Sequence, residues 1–267
     1  GVTYHLNAET KKILVEDGKA MGIQLTDNSI VSSDLVISNA DLHFTETKLL
    51  APESRSYPES YWKKKESGIS ALLIYLGVKG SLPQLEHHNL FFVDDWRGNF
   101  TDIYDKKTIP ESASLYVCKP SATDPKVAPK GSENLFVLVP LPTGLKMTTA
   151  HKAQLTKRFI SQLSEAIKQP DLAERITFQE SFGPNEFEER FHAWQGSALG
   201  VSHLLKQSAF WRTPNKSKKV KNLYYVGGNT MPGVGLPMCL ISAELVYKRI
   251  TKQRRGGPIS EIKELSS

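Results

Sequence analysis

The sequence predicts a mixed α/β fold, in which strand-like and helix-like segments alternate only in part. Three observations carry this. Short β-prone runs separated by turn residues fill 2–37, and a strongly apolar run occupies 69–78. Apolar residues at three-to-four spacing, Leu155, Phe159, Leu163 and Ile167, mark an amphipathic helix over 148–168. Residues 222–244 read as a short strand, a glycine-rich loop and an apolar helix. The early strands and the last strand and helix belong to one lobe in this reading, and the middle of the chain forms another.

In order, runs at 2–6, 11–16, 20–25 and 30–37 suggest a β-meander, with Asp17-Gly18 and Asp27-Asn28 as turns. Asp41 is placed to cap a helix running to about Leu50. A linker-like stretch, 52–58, precedes a short helix at 61–65. The run 69–78 reads as a strand buried on both faces. Further strands are expected at 90–93, 115–118, 135–140 and 176–182, with a short helix at 99–106. The Pro/Ser/Asp-rich segment 120–131 is a loop. Pro184 sits where a helix carrying Phe187 and Phe191 would begin, and 193–212 mixes glycines with aromatics as a lining loop would.

The loop at 227–238 holds four glycines, Gly227, Gly228, Gly233 and Gly235, and two prolines, Pro232 and Pro237. Glycine lets a backbone adopt positive φ and approach a ligand closely. Pro237 suits the first turn of a helix starting near Leu236, where its missing N–H costs little. A strand, a glycine-rich loop and a helix N-terminus can together turn N–H groups toward a phosphate or an electron-rich ring. The same residues also describe a tight turn between a buried strand and a buried helix.

The chain has 267 residues with 39% hydrophobic and 23% charged content, enough for a sizeable core and too apolar for a disordered chain. The net charge of +6 is concentrated in Lys216, Lys218, Lys219 and Lys221 before the loop and Lys248, Arg249, Lys252, Arg254 and Arg255 after it. Such patches suit anionic partners, or serve as a solvated surface and a cation-rich helix end. Cys118 and Cys239 lie far apart in apolar settings, as buried free thiols of a reducing compartment would. The apolar runs 71–78 and 135–141 are too short to span a bilayer, and no signal peptide is seen. The chain opens on GVTYHL (1–6), which reads as the middle of a sheet; a fragment or excised domain is expected.

Several chemistries are disfavoured. Adjacent His87 and His88 would face opposite sides if on a strand and could not easily chelate one ion, so no metal site is expected and the pair reads as a loop end. The aspartates at 94, 95, 102 and 105 do not match an EF-hand loop and read as a turn and helix cap. GSALG (196–200) lacks the spacing of a nucleophile elbow. Neither a Walker A motif nor a complete G-x-G-x-x-G is present. Tyr224 and Tyr225 lie in a strand that reads as buried, so nucleic acid is not an expected partner.

Six segments, in order, carry a resemblance: KILVEDGKAMGI (12–23), VISNAD (36–41), HHNLFFVDDWRGNFTDIY (87–104), SATDPKVAP (121–129), GSALGVSHLLKQSAFWR (196–212) and NLYYVGGNTMPGVGLPM (222–238). Together they resemble the C-terminal portion of the phytoene desaturase and dehydrosqualene desaturase family of FAD-dependent carotenoid desaturases. The resemblance implies the C-terminal part of a two-domain, amine-oxidase-like flavoprotein, with the family's dinucleotide motif upstream of residue 1. Residues 1–40 and 191–255 would complete the FAD-binding domain, 41–190 would be the substrate lobe, and 256–267 a polar tail. FAD contacts would map to Thr10, Gly228, Asn229, Gly235, Leu236, Pro237 and Met238. Trp194, Phe210 and Trp211 are candidates for lining the substrate path, or ordinary core. A hydrophobic polyene substrate and a membrane lipid surface are the implied partners, with a cytoplasmic, peripheral location; homo-oligomer formation stays open. The chemistry agrees on one point: removing hydrogen from an unactivated hydrocarbon needs an acceptor that no side chain supplies.

Two departures from the family pattern stand out. The family usually has Thr-His-Pro-Gly where this chain has Thr230, Met231, Pro232 and Gly233. Related amine oxidases carry Gly-Glu where this chain has Gly227 and Gly228, so a carboxylate contact to the ribityl chain is missing. No catalytic acid or base is assigned. Carotenoid oxygenation, isomerisation or amine oxidation on the same scaffold is an alternative, as is a non-catalytic lipid-binding module. The chain by itself is expected to be inactive.

Overall fold

The computed structural model describes residues 1–259, so the expected polar tail lies largely outside the described residues. The chain divides into two compact units. One combines Gly1–Ser67 with the segment from Leu199 onward; the other is Gly68–Ala198.

The Gly68–Ala198 unit is built on a five-stranded antiparallel sheet. Its strands are β5 (Ser70–Lys79), β6 (His88–Phe91), β7 (Leu115–Cys118), β8 (Ser132–Leu141) and β9 (Ile176–Phe182), in the order β6-β7-β8-β5-β9. Strand alternation sorts the side chains. Leu72, Ile74, Leu76 and Val78 of β5 share a core with Leu115, Val117, Leu135, Val137 and Val139. Helix α4 (Thr149–Ala166) closes that core with Leu155, Phe159, Ile160 and Leu163. Thr148 caps it by accepting from the His151 N–H at 3.1 Å. Fully burying a side chain such as Phe159 stabilises by roughly 2–3 kcal/mol. The expectation that β5 is buried on both faces is corrected: Tyr75, on the other face, is 37% exposed. α3 (Trp96–Thr101, continued by a π-helical turn Asp102–Lys106) follows β6, with Asp95 as its N-cap, and α5 (Pro184–Phe191) begins at Pro184 as expected.

In the other unit, β1 (Thr10–Glu16), β2 (Lys19–Leu25) and β3 (Ile30–Ser32) form the antiparallel meander. Two corrections apply. Residues 2–6 form no strand; Val2, Tyr4 and Leu6 are exposed and lack a pairing partner among the described residues. The run 30–37 is not one strand, because β4 (Val36–Ser38) leaves the meander and pairs in parallel with β10 (Leu223–Tyr225). Asn222 joins the two sheets. Its side-chain oxygen accepts from the Ala20 N–H at 2.7 Å, and its amide donates to Ala20 O at 2.8 Å and Asp34 O at 2.6 Å.

The units divide at 67/68 and 198/199, whereas the sequence reading put the changes at 40/41 and 190/191. The reason lies in α1 (Leu42–Phe44, continued by a π-helical turn Thr45–Leu49) and α2 (Glu59–Trp62). Asp41 caps α1 through the Phe44 N–H, as expected. Glu46 is fully buried, accepting from the Tyr57 N–H at 2.8 Å and from the Tyr225 hydroxyl. Ser56 reaches Ser217 at 2.9 Å. These bonds fix 41–62 to β10. Burial, outweighing those hydrogen bonds, raises the Glu46 carboxyl above its ordinary pKa.

Candidate functional site

All three residues of β10 are buried, and the chain emerges from them into the glycine loop. Gly227 takes φ +103°, and a Cβ there would lie 2.9 Å from the Asn39 side-chain oxygen. Its N–H donates to Ser242 Oγ at 3.1 Å, and its carbonyl accepts from the Thr230 N–H and hydroxyl at 3.2 and 3.0 Å. Gly235, at φ +119°, turns the chain into α6 (Leu236–Ile250).

Two residues that the sequence reading did not single out hold this loop from behind. Arg212 is 3% exposed; its Nε donates to Thr230 O at 3.1 Å and its Nη2 to Gly228 O. Its Nη1 is buried with no partner among the described residues. Asn215 is fully buried, and its amide nitrogen reaches Met231 O and Ser242 Oγ, each at 2.9 Å, with Thr230 Oγ1 at 3.2 Å. Both were hidden in a segment read for its aromatics and lysines. The available signal was a lone arginine and asparagine between the lining loop and a buried strand.

The predicted positions fall into four groups. Gly228, Asn229, Gly235, Leu236, Pro237 and Met238 lie together on the loop and the first turn of α6. The Asn229 side chain is already engaged: its oxygen accepts from the Val201 N–H at 3.0 Å and its amide donates to Asp41 at 2.9 Å. Those two bonds fix the orientation of its side chain. Leu236 is 86% exposed, and Gly235 provides no side-chain cap, so the N–H groups of Leu236 and Met238 have no acceptor within the helix. Thr10 begins β1 opposite Leu25, at the end of the hairpin away from the Asp17-Gly18 turn that docks on Lys221. Phe210 and Trp211, on a short turn beside Arg212, are 90% and 61% exposed. Trp194 belongs to the other unit, where it is buried.

Charge near the loop is positive on the Arg212 side and negative where Asp41 meets Asn229. The Arg212 guanidinium lies behind it, and the start of α6 adds the partial positive charge of a helix N-terminus. His203 Nε2 lies 3.1 Å from where a Cβ on Gly233 would be. Burial, and then the Arg212 charge, hold the His203 imidazole below its ordinary pKa, so it is neutral at pH 7.

The Gly68–Ala198 unit presents its own features. On the sheet face away from α4, ring contacts run from Phe182 to Tyr75 at 5.9 Å, Tyr75 to Phe136 at 5.3 Å, Phe136 to Tyr116 at 6.2 Å and Tyr116 to His88 at 6.0 Å. An apolar cleft of about 500 Å³ opens there between Tyr75, Phe136, Phe178, Val127 and Pro129. Along α3 and its π-helical turn, Trp96, Phe100 and Tyr104 form an exposed stripe with ring separations of 6.2 and 5.7 Å. His87 and His88 do not face apart: His87 precedes β6, and the two rings lie 4.3 Å from each other. Cys118 and Cys239 are free and half-buried rather than buried.

No family model matches the chain. It is 38% identical over 244 residues to a carotenoid 3,4-desaturase of Haloarcula japonica, covering 91% of this chain and 49% of that protein. It is 35% identical over 253 residues to a zeta-carotene-forming phytoene desaturase of Myxococcus xanthus, covering 94% and 48%. Among solved structures, an engineered putrescine oxidase matches with a TM-score of 0.52 at 12% identity, covering 92% of this chain and 49% of that one. That likeness bears on the fold alone, and it agrees with the amine-oxidase-like architecture expected. The chain spans about half the length of the curated relatives it matches. Over more than nine-tenths of its length the chain matches the C-terminal portion of carotenoid and phytoene desaturases.

Proposed function

We propose that this chain supplies one wall of the flavin site and the substrate-receiving surface of a FAD-dependent carotenoid desaturase. The carrying observation is the glycine loop, whose back is fixed by Arg212 and Asn215 while its front and the uncapped start of α6 stay open. That donor set fits a flavin: backbone N–H groups, no side chain in the way at Gly228 and Gly235, and a buried cation behind. FAD, when bound, supplies the two-electron acceptor that desaturation needs. The backbone at Gly228, Gly235 and Met238 would orient it, and Arg212 with the helix start would favour negative charge on the ring. The Thr10 backbone is the proposed contact on the adenine side.

The aromatic face and cleft between Tyr75, Phe136 and Phe178 are the proposed resting place of the polyene, since their rings offer apolar area, with Glu133 at the lining and Glu180 beside Tyr75 as the nearby charges. Trp194, Phe210 and Trp211 are retained as further lining candidates. A membrane lipid surface is the proposed source of substrate. No helix among the described residues is long and apolar enough to cross a membrane. The Trp96, Phe100 and Tyr104 stripe suits an interfacial contact instead. In the other unit, the exposed Lys216, Lys218, Lys221, Arg249, Arg254 and Arg255 are available to anionic headgroups.

The test is to express the complete reading frame containing this chain, supply phytoene or dehydrosqualene, and follow flavin absorbance and pigment. Co-purifying flavin and new conjugated double bonds are expected; a flavin-free preparation that leaves both polyenes unchanged would overturn the proposal. Met231, in place of the family's usual histidine, favours a second reading, in which the same site oxygenates or isomerises a carotenoid. Oxygenated or isomerised pigment without added double bonds would select it.

A further inference from the structure

The Gly68–Ala198 unit holds a group of potential metal ligands that the flavin reading does not use. One ring nitrogen each of His87 and His88 and the Cys118 sulfur lie within 4.8 Å of one another. The antiparallel register explains this. His88 pairs directly with Cys118 across β6 and β7, so their side chains rise from the same face. His87 O accepts from the Lys119 N–H at 2.8 Å, which keeps its backbone beside β7 while its ring turns back against that of His88.

The surroundings resemble those of a ligand set. His87 Nδ1 is 2.7 Å from Thr123 Oγ1, and His88 Nδ1 is 2.8 Å from the Tyr116 hydroxyl. With Nε2 as the ligand atom, each Nδ1–H donates to its hydroxyl, which is how metal-bound histidines are commonly oriented. The donors are two imidazoles and a thiol, a set that suits zinc and its cobalt surrogate and does not suit magnesium or calcium. Tetrahedral zinc with these ligands places ligand atoms about 3.4 Å apart, so small side-chain rotations at the exposed His88 close the site. Binding releases the Cys118 thiol proton and leaves the fourth position to water.

We propose that His87, His88 and Cys118 form a zinc-class metal site that clamps the β6–β7 edge of the sheet. This goes beyond the flavin reading and does not depend on it.

The test uses the protein from the complete reading frame, titrated with cobalt(II) and then zinc(II). One equivalent of cobalt is expected to give a thiolate-to-metal charge-transfer band that zinc abolishes. That band is expected to vanish in C118S, persist in C239S, and require at least tenfold more cobalt in H88Q. Zinc should also slow alkylation of Cys118 by iodoacetamide in the wild type. Flavin content and far-ultraviolet circular dichroism of each variant report folding separately from metal binding. A band that survives in C118S, its absence from the folded wild type, or alkylation of Cys118 at the same rate with and without zinc would each overturn the site.

Discussion

Helices α4 and α6 differ in a way that separates a finished surface from an unfinished one. α4 buries Leu155, Phe159, Ile160 and Leu163 and satisfies its one buried polar side chain, Thr156, on Lys152 O at 2.8 Å, so its sequence is answered within its own unit. α6 buries Ser242 and Val246 but leaves Leu236, Leu240 and Ile241 exposed at 86%, 74% and 40%. An apolar helix start beside a rigid glycine loop is a surface shaped for contact. Under the flavin proposal, this apolar face beside the loop is one that the cofactor's binding would help to cover.

The largest effect should come from breaking the finished side. Phe159→Ala opens a cavity in the α4 core and should cost about 3–5 kcal/mol, measured by urea unfolding. A loss below about 1 kcal/mol would mean that the core is loosely packed. Next is Arg212→Ala, which removes the donors to Gly228 O and Thr230 O; a loss of about 2–4 kcal/mol and failure to retain flavin are expected, with Arg212→Lys intermediate. Gly200 has φ +70°, and a Cβ there would stand 1.9 Å from the Asn229 side-chain oxygen, so Gly200→Ala should cost about 2 kcal/mol and loosen the loop.

The fourth prediction concerns pH. The Glu46 carboxyl has a raised pKa in the fold, so its favourable contribution is fully present below the unfolded value near 4.5 and declines as pH rises through the folded value. Stability should therefore fall by up to about 1.4 kcal/mol per pH unit from this group across that window, and Glu46→Gln should flatten the slope. An unchanged slope in the variant would mean that the carboxyl ionises as freely folded as unfolded. The smallest change in stability, within about 0.5 kcal/mol, is expected for Leu240→Ser on the exposed face of α6. The same substitution should lower flavin retention if that face is a contact surface, and leave it unchanged if it is not.

Local rules carried much of this structure. The three-to-four spacing of Leu155, Phe159 and Leu163 predicted α4 nearly to its ends, Asp41 marked the start of α1, and glycine with Pro237 located the turn into α6. Long-range partnership was not legible. Nothing in 30–37 says that Val36 leaves the meander for Leu223, or that Glu46 will meet Tyr225. The histidine pair sits at a loop end as expected, with His87 preceding β6, but the approach of the two rings to 4.3 Å depends on the neighbouring strand and was not legible. At the candidate site, the loop was visible through its glycines. The residues that hold it, Arg212 and Asn215, were not, because their role depends on carbonyls brought to them by the fold.

The pairing of β4 with β10 has a consequence for how the chain acquires its structure. Val36 and Leu223 meet only after the whole Gly68–Ala198 segment has been made. That segment is continuous and has its own core, so it can fold first. When it does, the Ala198 N–H bonds to Ile69 O at 3.0 Å and brings its two ends together. The effective loop between β4 and β10 then shrinks from roughly 185 residues to roughly 55, easing closure by about 1 kcal/mol. The inserted unit is thus a template for assembling the other one, and a core lesion such as Phe159→Ala should slow formation of the β4–β10 pair even though it lies outside it.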